Sequence, residues 1–193
     1  VLPDYPLNKQ LDIGEGKMSK GKPALAGKRR VPARIEYTTP VRMPHGVASL
    51  VLQGGRILAV AWEGSDPRLL GAIRAGFPGA CPVSGKRAAL RKILVRYAAG
   101  DFPGIREILS CPFAWERVSG FARKILEAAA HVPPGKTATY GEVAGKAGRP
   151  GAARAAGGAL GRNPWPIVIP CHRVIGADGD LTGFGKGLPV KQA

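Results

Sequence analysis

Residues 137–163 read TATYGEVAGKAGRPGAARAAGGALGRN and determine how the second half of this chain folds. Thr139 is a typical helix N-cap residue, so the sequence predicts a short helix over 140–147. The letters RPG at 149–151 predict a turn, and a second short helix of small residues follows it. Two short helices joined by a tight turn that contains glycine form a helix-turn-helix.

The second helix of this motif carries almost no side chains, since alanine and glycine surround Arg154. Such a surface lets a partner approach the backbone closely, or lets the helix pack tightly on its own core. Arg154 could bind a phosphate or a base, or enter a duplex.

The chain has 29 Lys and Arg against 13 Asp and Glu, a net charge of +16. This excess predicts an anionic partner, with nucleic acid ahead of an anionic membrane, and the helix-turn-helix favours DNA.

Upstream of the motif, residues 35–105 predict a small α/β domain. The glycine pair in QGG separates two apolar, β-rich runs, as in a hairpin. Asp66 and Pro67 suit the cap and the first position of a helix. The predicted elements are strands within RIEYTTPVRM, 34–43, the two strands of the hairpin, 47–52 and 57–62, and two helices, 66–75 and 85–99.

The remaining segments complete the predicted layout. Residues 106–193 predict a mainly α-helical, winged-helix-like domain, with a long amphipathic helix that starts near Pro112 or Phe113. Residues 1–34 are rich in Lys, Gly and Pro and predict a basic, flexible arm.

No apolar run approaches the roughly 20 residues that span a bilayer. We therefore expect no membrane partner and a cytoplasmic location, or a nuclear one in a eukaryote; we also expect a monomer.

A cysteine and a histidine adjoin in NPWPIVIPCHRVIG, residues 163–176. The apolar run WPIVIP predicts a buried strand or extended segment that holds Cys171 rigidly. From the residues alone, Cys171 and His172 could fill the core, belong to a metal site, or act as a nucleophile and its base. The three cysteines, Cys81, Cys111 and Cys171, form no CxxC pair, so we expect neither a disulfide framework nor a bound metal.

The segment NPWPIVIPCHRVIGADGDLTGFGKGLPVKQ strongly resembles the active-site segment of the O6-alkylguanine-DNA alkyltransferases. The family's signature is a PCHR core that follows an apolar run and precedes a glycine-rich segment. The block PPGKTATYGEVAGKAGRPGAARAAGGALGRNP matches the same family in order and spacing. The resemblance covers about 112–192, is weaker over 35–105 and excludes the arm. It implies a DNA repair protein that flips O6-alkylguanine from duplex DNA and moves the alkyl group irreversibly to its own cysteine, without a cofactor.

The resemblance also implies roles for individual residues. Cys171 would be the nucleophile, His172 the base acting through a water, and Asn163 the residue that orients them. Tyr140 would crowd the 3′ phosphate, and Arg154 would replace the extruded guanine in the base stack. Further DNA contacts are implied for Thr139, Ala153, Gly157 and Arg173. The guanine pocket would be formed by 174–186, including Val174, Phe184, Gly185 and Lys186.

The sequence departs from the family pattern at two points. Family members usually carry a glutamate in a helix after the active-site segment, and it completes a proton relay from cysteine through water and histidine. In this sequence Asp178 and Asp180 lie too close to Cys171 to match that position. Phe184 stands where many members have a tyrosine, and it cannot donate a hydrogen bond.

Three alternative functions follow from the same residues. An alkyltransferase-like protein would flag the lesion without transfer, although Cys171 within an intact PCHR favours transfer. A transcription factor would need more base-reading side chains than Arg154. A cysteine hydrolase would need an oxyanion hole, for which the sequence gives no specific signal.

Overall fold

The structure, a computed structural model, describes residues 33–83 and 89–182 together with Leu188 and Lys191. Contacts divide the chain after Ala33, and Arg34–Ala193 form one compact unit. Nearly all of the predicted arm, 1–34, lies outside the described residues. Within the described residues, no helix combines the length and the apolar composition of a membrane span.

A small mixed sheet forms the first half of this unit. Its strands are β1 (Ile35–Tyr37), β2 (Val41–Met43), β3 (Gly46–Gln53), β4 (Arg56–Glu63) and β5 (Cys81–Pro82). Strand β3 pairs antiparallel with β4 on one edge, and with β1 and β2 at opposite ends of its other edge. Strand β5 runs parallel to β1. The predicted hairpin is confirmed: Gly54 and Gly55 turn it with φ of 59° and 85°, values that glycine adopts without strain.

Six helices complete the described fold. They are α1 (Asp66–Gly76), α2 (Ala89–Ala98), α3 (Arg106–Leu109), α4 (Gly120–Ala130), α5 (Tyr140–Lys146) and α6 (Ala153–Gly161). Helix α1 corrects one prediction, because Ser65 stands at its N-cap and Asp66 is already its first residue. Helix α2 confirms the predicted second helix from Ala89 onward. The start predicted at 85 lies outside the described residues.

Helix α4 begins later than its amphipathic pattern predicts. Its N-cap is Ser119, whose hydroxyl accepts a hydrogen bond from Ala122 N, so the predicted start near Pro112 or Phe113 is wrong. The reason is a tertiary contact with the β4 edge: Ile57 N donates to Pro112 O at 2.8 Å, and Ala114 N donates to Ile57 O at 3.0 Å. These bonds hold the backbone extended where a helix would otherwise have begun.

The helix-turn-helix is formed by α5 and α6, as predicted. Thr139 caps α5 in a full capping box: its hydroxyl accepts from Glu142 N, and the Glu142 carboxylate accepts from Thr139 N. Two short strands, β6 (Ala138–Thr139) and β7 (Val174–Ile175), pair in parallel just before α5. This pairing brings the segment after Cys171 beside the helix-turn-helix.

Candidate active site

Residues 163–170, just before Cys171, form a loop and not the buried strand or extended segment that the sequence predicted. Ile169 N donates to Trp165 O at 2.8 Å, and Cys171 itself begins a 3₁₀ turn over Cys171–Arg173. Ile167 has φ of 73°, an uncommon and costly conformation for a β-branched residue. The prolines at 164, 166 and 170 remove the N–H donors that a strand would need.

Two contacts anchor this loop to the first half of the unit. Val60 N donates to Pro164 O at 2.8 Å, and Trp165 Nε1 donates to Ile57 O at 3.2 Å. Trp165 is fully buried, and its ring lies 5.1 Å from Phe113 and 4.7 Å from Trp115, centroid to centroid. The loop therefore rests on the edge of β4 and on an aromatic cluster, although it has no regular structure of its own.

Asn163 closes the loop and reaches the sulfur. Its Oδ1 accepts from Trp165 N at 2.9 Å, while its Nδ2 donates to Ile169 O at 2.9 Å and to Cys171 Sγ at 3.3 Å. One side chain thus fixes the start of the loop, its end and the thiol. A donor directed at sulfur favours the thiolate, and the orienting role implied for Asn163 stays a prediction.

The Cys171 thiol is buried, with 6% of the residue exposed. Burial raises the pKa of this thiol above its ordinary value, while the Asn163 N–H and the Lys191 charge act in the opposite direction. Desolvation prevails, so the resting sulfur is protonated at neutral pH. Any reaction of Cys171 as a nucleophile must therefore remove this proton.

His172 is a neutral imidazole at neutral pH. Burial first, and then the charges of Arg173 and Lys191, lower its pKa to about 4. A neutral ring can accept a proton. His172 also lines a cavity of about 180 Å³ together with Trp62, Tyr97 and Ile167.

A groove of about 440 Å³ lies on the helix-turn-helix. Its lining residues come from the starts of both helices and from the segment after Cys171: Thr139, Tyr140, Gly141, Ala153, Arg154, Gly157, Ala177 and Thr182. Five residues for which DNA contacts were implied therefore lie together. Arg154 is exposed. A Cβ placed on Gly157 would make an ordinary contact with the Tyr140 ring at 3.6 Å, and because Gly157 lines the groove, a larger side chain here would occupy part of it.

Other predicted residues lie elsewhere or outside the described residues. Arg173 donates from Nη1 to Val132 O at 3.1 Å and interacts with the Tyr97 hydroxyl. Its predicted DNA contact stays a prediction and gains no support from this position. Val174 is fully buried in β7. Phe184, Gly185 and Lys186 lie outside the described residues.

Lys191 is a residue that the sequence reasoning missed. Only 5% of it is exposed, and its Nζ donates to Tyr140 OH at 3.2 Å and to Thr182 O at 2.9 Å. A lysine after a glycine-rich segment reads as a surface residue, so no sequence signal indicated its burial. Across the described part of the chain, no cluster of three or more His, Cys, Asp or Glu side chains could hold a metal ion.

Known proteins are similar to this chain in sequence and in fold. The family model for the 6-O-methylguanine DNA methyltransferase DNA-binding domain matches residues 120–193. The methylated-DNA–protein-cysteine methyltransferase of Mycolicibacterium paratuberculosis is 50% identical over 101 residues, which are 47% of this chain and 61% of that protein. Its counterpart in Mycobacterium tuberculosis is 44% identical over 104 residues, 49% of this chain and 63% of that protein. The chain thus spans about three fifths of the length of these curated relatives.

Solved structures extend the similarity to most of the chain. The crystal structure of Mycobacterium tuberculosis OGT in complex with DNA has a TM-score of 0.64 and 32% identity, and covers 82% of this chain and 89% of that one. The O6-methylguanine-DNA methyltransferase of Pyrococcus kodakaraensis has a TM-score of 0.57 and 25% identity, and covers 81% and 95%. The fold, the loop that presents Cys171 and these relatives lead to one conclusion: the chain belongs to the O6-alkylguanine-DNA alkyltransferase family.

Proposed function

We propose that this protein repairs DNA by transferring the alkyl group of O6-alkylguanine to Cys171, once per molecule. The observation that carries the proposal is the Cys171 thiol, held by Asn163 Nδ2 at 3.3 Å on a loop joined to the helix-turn-helix groove through the β6–β7 pair. The names of the relatives and the DNA in the similar OGT structure support the substrate.

The chemistry follows from the states of the two side chains. The Cys171 sulfur attacks the alkyl carbon, a C–S bond forms, and the bond from that carbon to O6 breaks. Its electron pair stays on the guanine, which takes up one proton from solvent, and this proton replaces the one that the thiol releases to solvent through His172. Since burial keeps the thiol protonated, its proton must leave as the sulfur attacks. The neutral imidazole of His172 is the group that accepts it, through a water. Atoms and charges balance without a cofactor.

The groove supplies access to a base that is hidden in the duplex. An O6-alkyl group lies inside the base stack, so the nucleotide must rotate out, at a cost of a few kcal/mol. Arg154 is exposed at the groove and is long enough to fill the gap left behind. The small residues around it, Ala153 and Gly157, permit the close approach that a narrow minor groove requires. Tyr140 forms the wall that crowds the rotating nucleotide.

The partner is double-stranded DNA, for which the net charge of +16 supplies the attraction. One copy of the chain carries every residue named in the reaction, so we propose that it acts as a monomer. Double-stranded DNA is present in the cytoplasm or in a nucleus, and these are the locations that the sequence predicts for the protein.

Mass spectrometry tests the proposal directly. The protein is mixed with a duplex that contains one O6-methylguanine, and the Cys171 peptide is then weighed. We expect the mass of one added methylene on this peptide, and no gain for Cys171→Ala, which should still bind the duplex. Tight binding of the wild-type protein without a mass gain would instead support the lesion-flagging alternative.

A further inference from the structure

The cavity of about 180 Å³ beside His172 shares no lining residue with the helix-turn-helix groove. Three aromatic side chains line it: Trp62 from β4, Tyr97 from α2 and Phe102 just after that helix. The Tyr97 and Phe102 rings meet edge to face, with their centroids 5.1 Å apart. Phe102 is 42% exposed, so a molecule can enter the cavity beside it. The cavity therefore offers aromatic packing to a ligand, and the reaction proposed above uses none of these three rings.

Two imidazoles supply the polar part of the lining, His45 from the turn between β2 and β3 and His172 itself. Among the residues that the structure describes, neither ring makes a hydrogen bond to another group. His172 is partly buried, and polar groups that lose contact with water are normally hydrogen-bonded. The cavity thus presents ring nitrogens that a ligand can engage.

The lining favours a small neutral ring. Its described residues include no Lys, Arg, Asp or Glu, so a charged molecule would lose its hydration without gaining an ion pair. The charges of Arg173 and Lys191, which reach His172, act against a cation in particular. An apolar cavity of about 150 Å³ holds benzene, so this one admits a single ring with one small substituent. A hydroxyl both donates and accepts, and it therefore suits an imidazole in either tautomer.

We propose that this cavity binds a small neutral phenol, with the ring against Trp62, Tyr97 and Phe102 and the hydroxyl on an imidazole nitrogen. The site itself is independent of the proposed function. One consequence rests on that function: a phenol that engages His172 competes for the group that accepts the thiol proton. A general base contributes about 10²–10⁴-fold to a rate, so bound phenol slows alkyl transfer by tenfold or more.

Proton NMR of the imidazole rings tests the site, with phenol as the probe. The chain has three histidines, and His131 lies at the end of α4, outside the lining, with its Nδ1 hydrogen-bonded to Glu127 O. In a phenol titration the ring protons of His45 and His172 should shift and saturate, with a dissociation constant of about 1 mM or less, while those of His131 stay in place. His45→Gln and His131→Gln assign the signals. No saturable shift, or an equal shift of all three rings, would overturn the proposal.

Two adjacent alanines give a matched pair of variants. Ala98 lines the cavity and is partly buried, whereas Ala99 is exposed and lies outside the lining. Ala98→Leu fills the cavity and should weaken phenol binding by tenfold or more, and Ala99→Leu should bind phenol like the wild type. Thermal unfolding checks that both fold. If Ala98→Leu does not, Phe102→Ala replaces it, since this exposed ring can be removed at less cost to the core. Unchanged phenol binding in the cavity variant would contradict the site.

Charged analogues of the same ring test the class of ligand. Benzoate and benzylammonium should bind at least tenfold more weakly than phenol, because the lining offers neither of them an opposite charge. Equal binding of either ion would exclude the neutral class.

Single-turnover transfer, with protein in excess over duplex O6-methylguanine, tests the consequence for His172. Saturating phenol should slow the wild type and Ala99→Leu by tenfold or more and leave Ala98→Leu at its own rate. An unchanged wild-type rate would overturn the competition for the base. If the protein transfers nothing without phenol, the proposed function is contradicted, and the NMR titration still decides whether the site exists.

Discussion

At the scale of single residues, Asn163 determines most of the geometry around the sulfur. Its three hydrogen bonds hold the two ends of the loop and the thiol together. A side chain that satisfies buried backbone groups cannot be removed without leaving them unpaired. Asn163 should therefore affect both the stability of the fold and the reactivity of Cys171, and two substitutions separate these effects.

Asn163→Ala should lower the free energy of unfolding by about 1–3 kcal/mol, because it leaves Trp165 N without its acceptor and removes one of the two donors to Ile169 O, the other being Cys171 N. Asn163→Asp keeps the acceptor for Trp165 N but turns a carboxylate towards the sulfur, which disfavours the thiolate. It should lose less stability than Asn163→Ala and react more slowly with iodoacetamide at pH 8. Urea unfolding and the alkylation rate measure the two effects. An Asp variant that reacts as fast as the wild type would contradict the role of the amide.

His172 makes the stability of the fold depend on pH. Its pKa is about 4 in the folded protein, against an ordinary value of 6.5. At a pH between these two values the unfolded chain therefore binds one proton at His172 that the folded protein does not. The free energy of unfolding should therefore fall as the pH falls through this window, by about 2 kcal/mol from pH 7 to pH 5. Urea titrations of the wild type and of His172→Gln isolate the effect. The same pH dependence in both proteins would contradict it.

The sequence places Asn163 and Cys171 in one motif, and the structure brings the two side chains into contact. The chemical roles assigned to Cys171, His172 and Asn163 through the PCHR resemblance stay predictions. The burial of Lys191 could not be foreseen, since it depends on Tyr140, which lies 51 residues away. Local patterns report a residue's neighbours in the chain, whereas a buried charge is defined by neighbours in space.

At the scale of elements, helix α6 combines two glycines with different surroundings. Gly157 lines the groove and faces the Tyr140 ring, whereas the adjacent Gly158 is exposed and meets only the far end of Arg162. Glycine within a helix costs roughly 0.5–1 kcal/mol relative to alanine. At position 157 the absence of a side chain leaves space in the groove, whereas at position 158 it leaves no space there.

Gly157→Leu and Gly158→Leu form a matched pair. Both should improve the helix by a similar amount, but only Gly157→Leu narrows the groove, so only it should weaken binding to duplex DNA, by tenfold or more. Fluorescence anisotropy with a labelled duplex measures binding, and thermal unfolding confirms that both variants fold. Equal affinities would show that duplex DNA does not enter the groove at Gly157.

The sequence predicted correctly the elements that depend on neighbouring residues. It predicted poorly the segments whose backbone is hydrogen-bonded to a strand far away in the chain. The cap of α5 at Thr139 and the hairpin at Gly54–Gly55 depend on a few adjacent residues, and both were foreseen. The start of α4 and the loop before Cys171 were not. Both of these segments form backbone hydrogen bonds with β4, at Ile57 and Val60, and hydrophobic periodicity contains no information about that pairing.

At the scale of the whole molecule, we expect the net charge of +16 to govern the proposed encounter with DNA. A protein that neutralises phosphates releases counterions, so its affinity for undamaged duplex should fall steeply with salt, with a linear relation between log K and log salt. With six or more phosphate contacts the loss is about a thousandfold between 50 and 200 mM. Anisotropy titrations measure the slope. The transfer rate at saturating protein is the control and should change little, since the reaction occurs in a buried site. A flat binding curve would contradict the electrostatic role.

The burial of Cys171 also bears on how long an unused molecule lasts. Peroxide and disulfide exchange act on exposed thiolates, and this sulfur is neither exposed nor ionised at rest. A protein that reacts once has only one sulfur to lose, so oxidation before it meets damage would waste the whole molecule. If Cys171 is the alkyl acceptor that we propose, we expect its burial in this loop to keep the sulfur reduced until an alkylated base enters, so that protein synthesis rather than oxidation limits the number of active molecules.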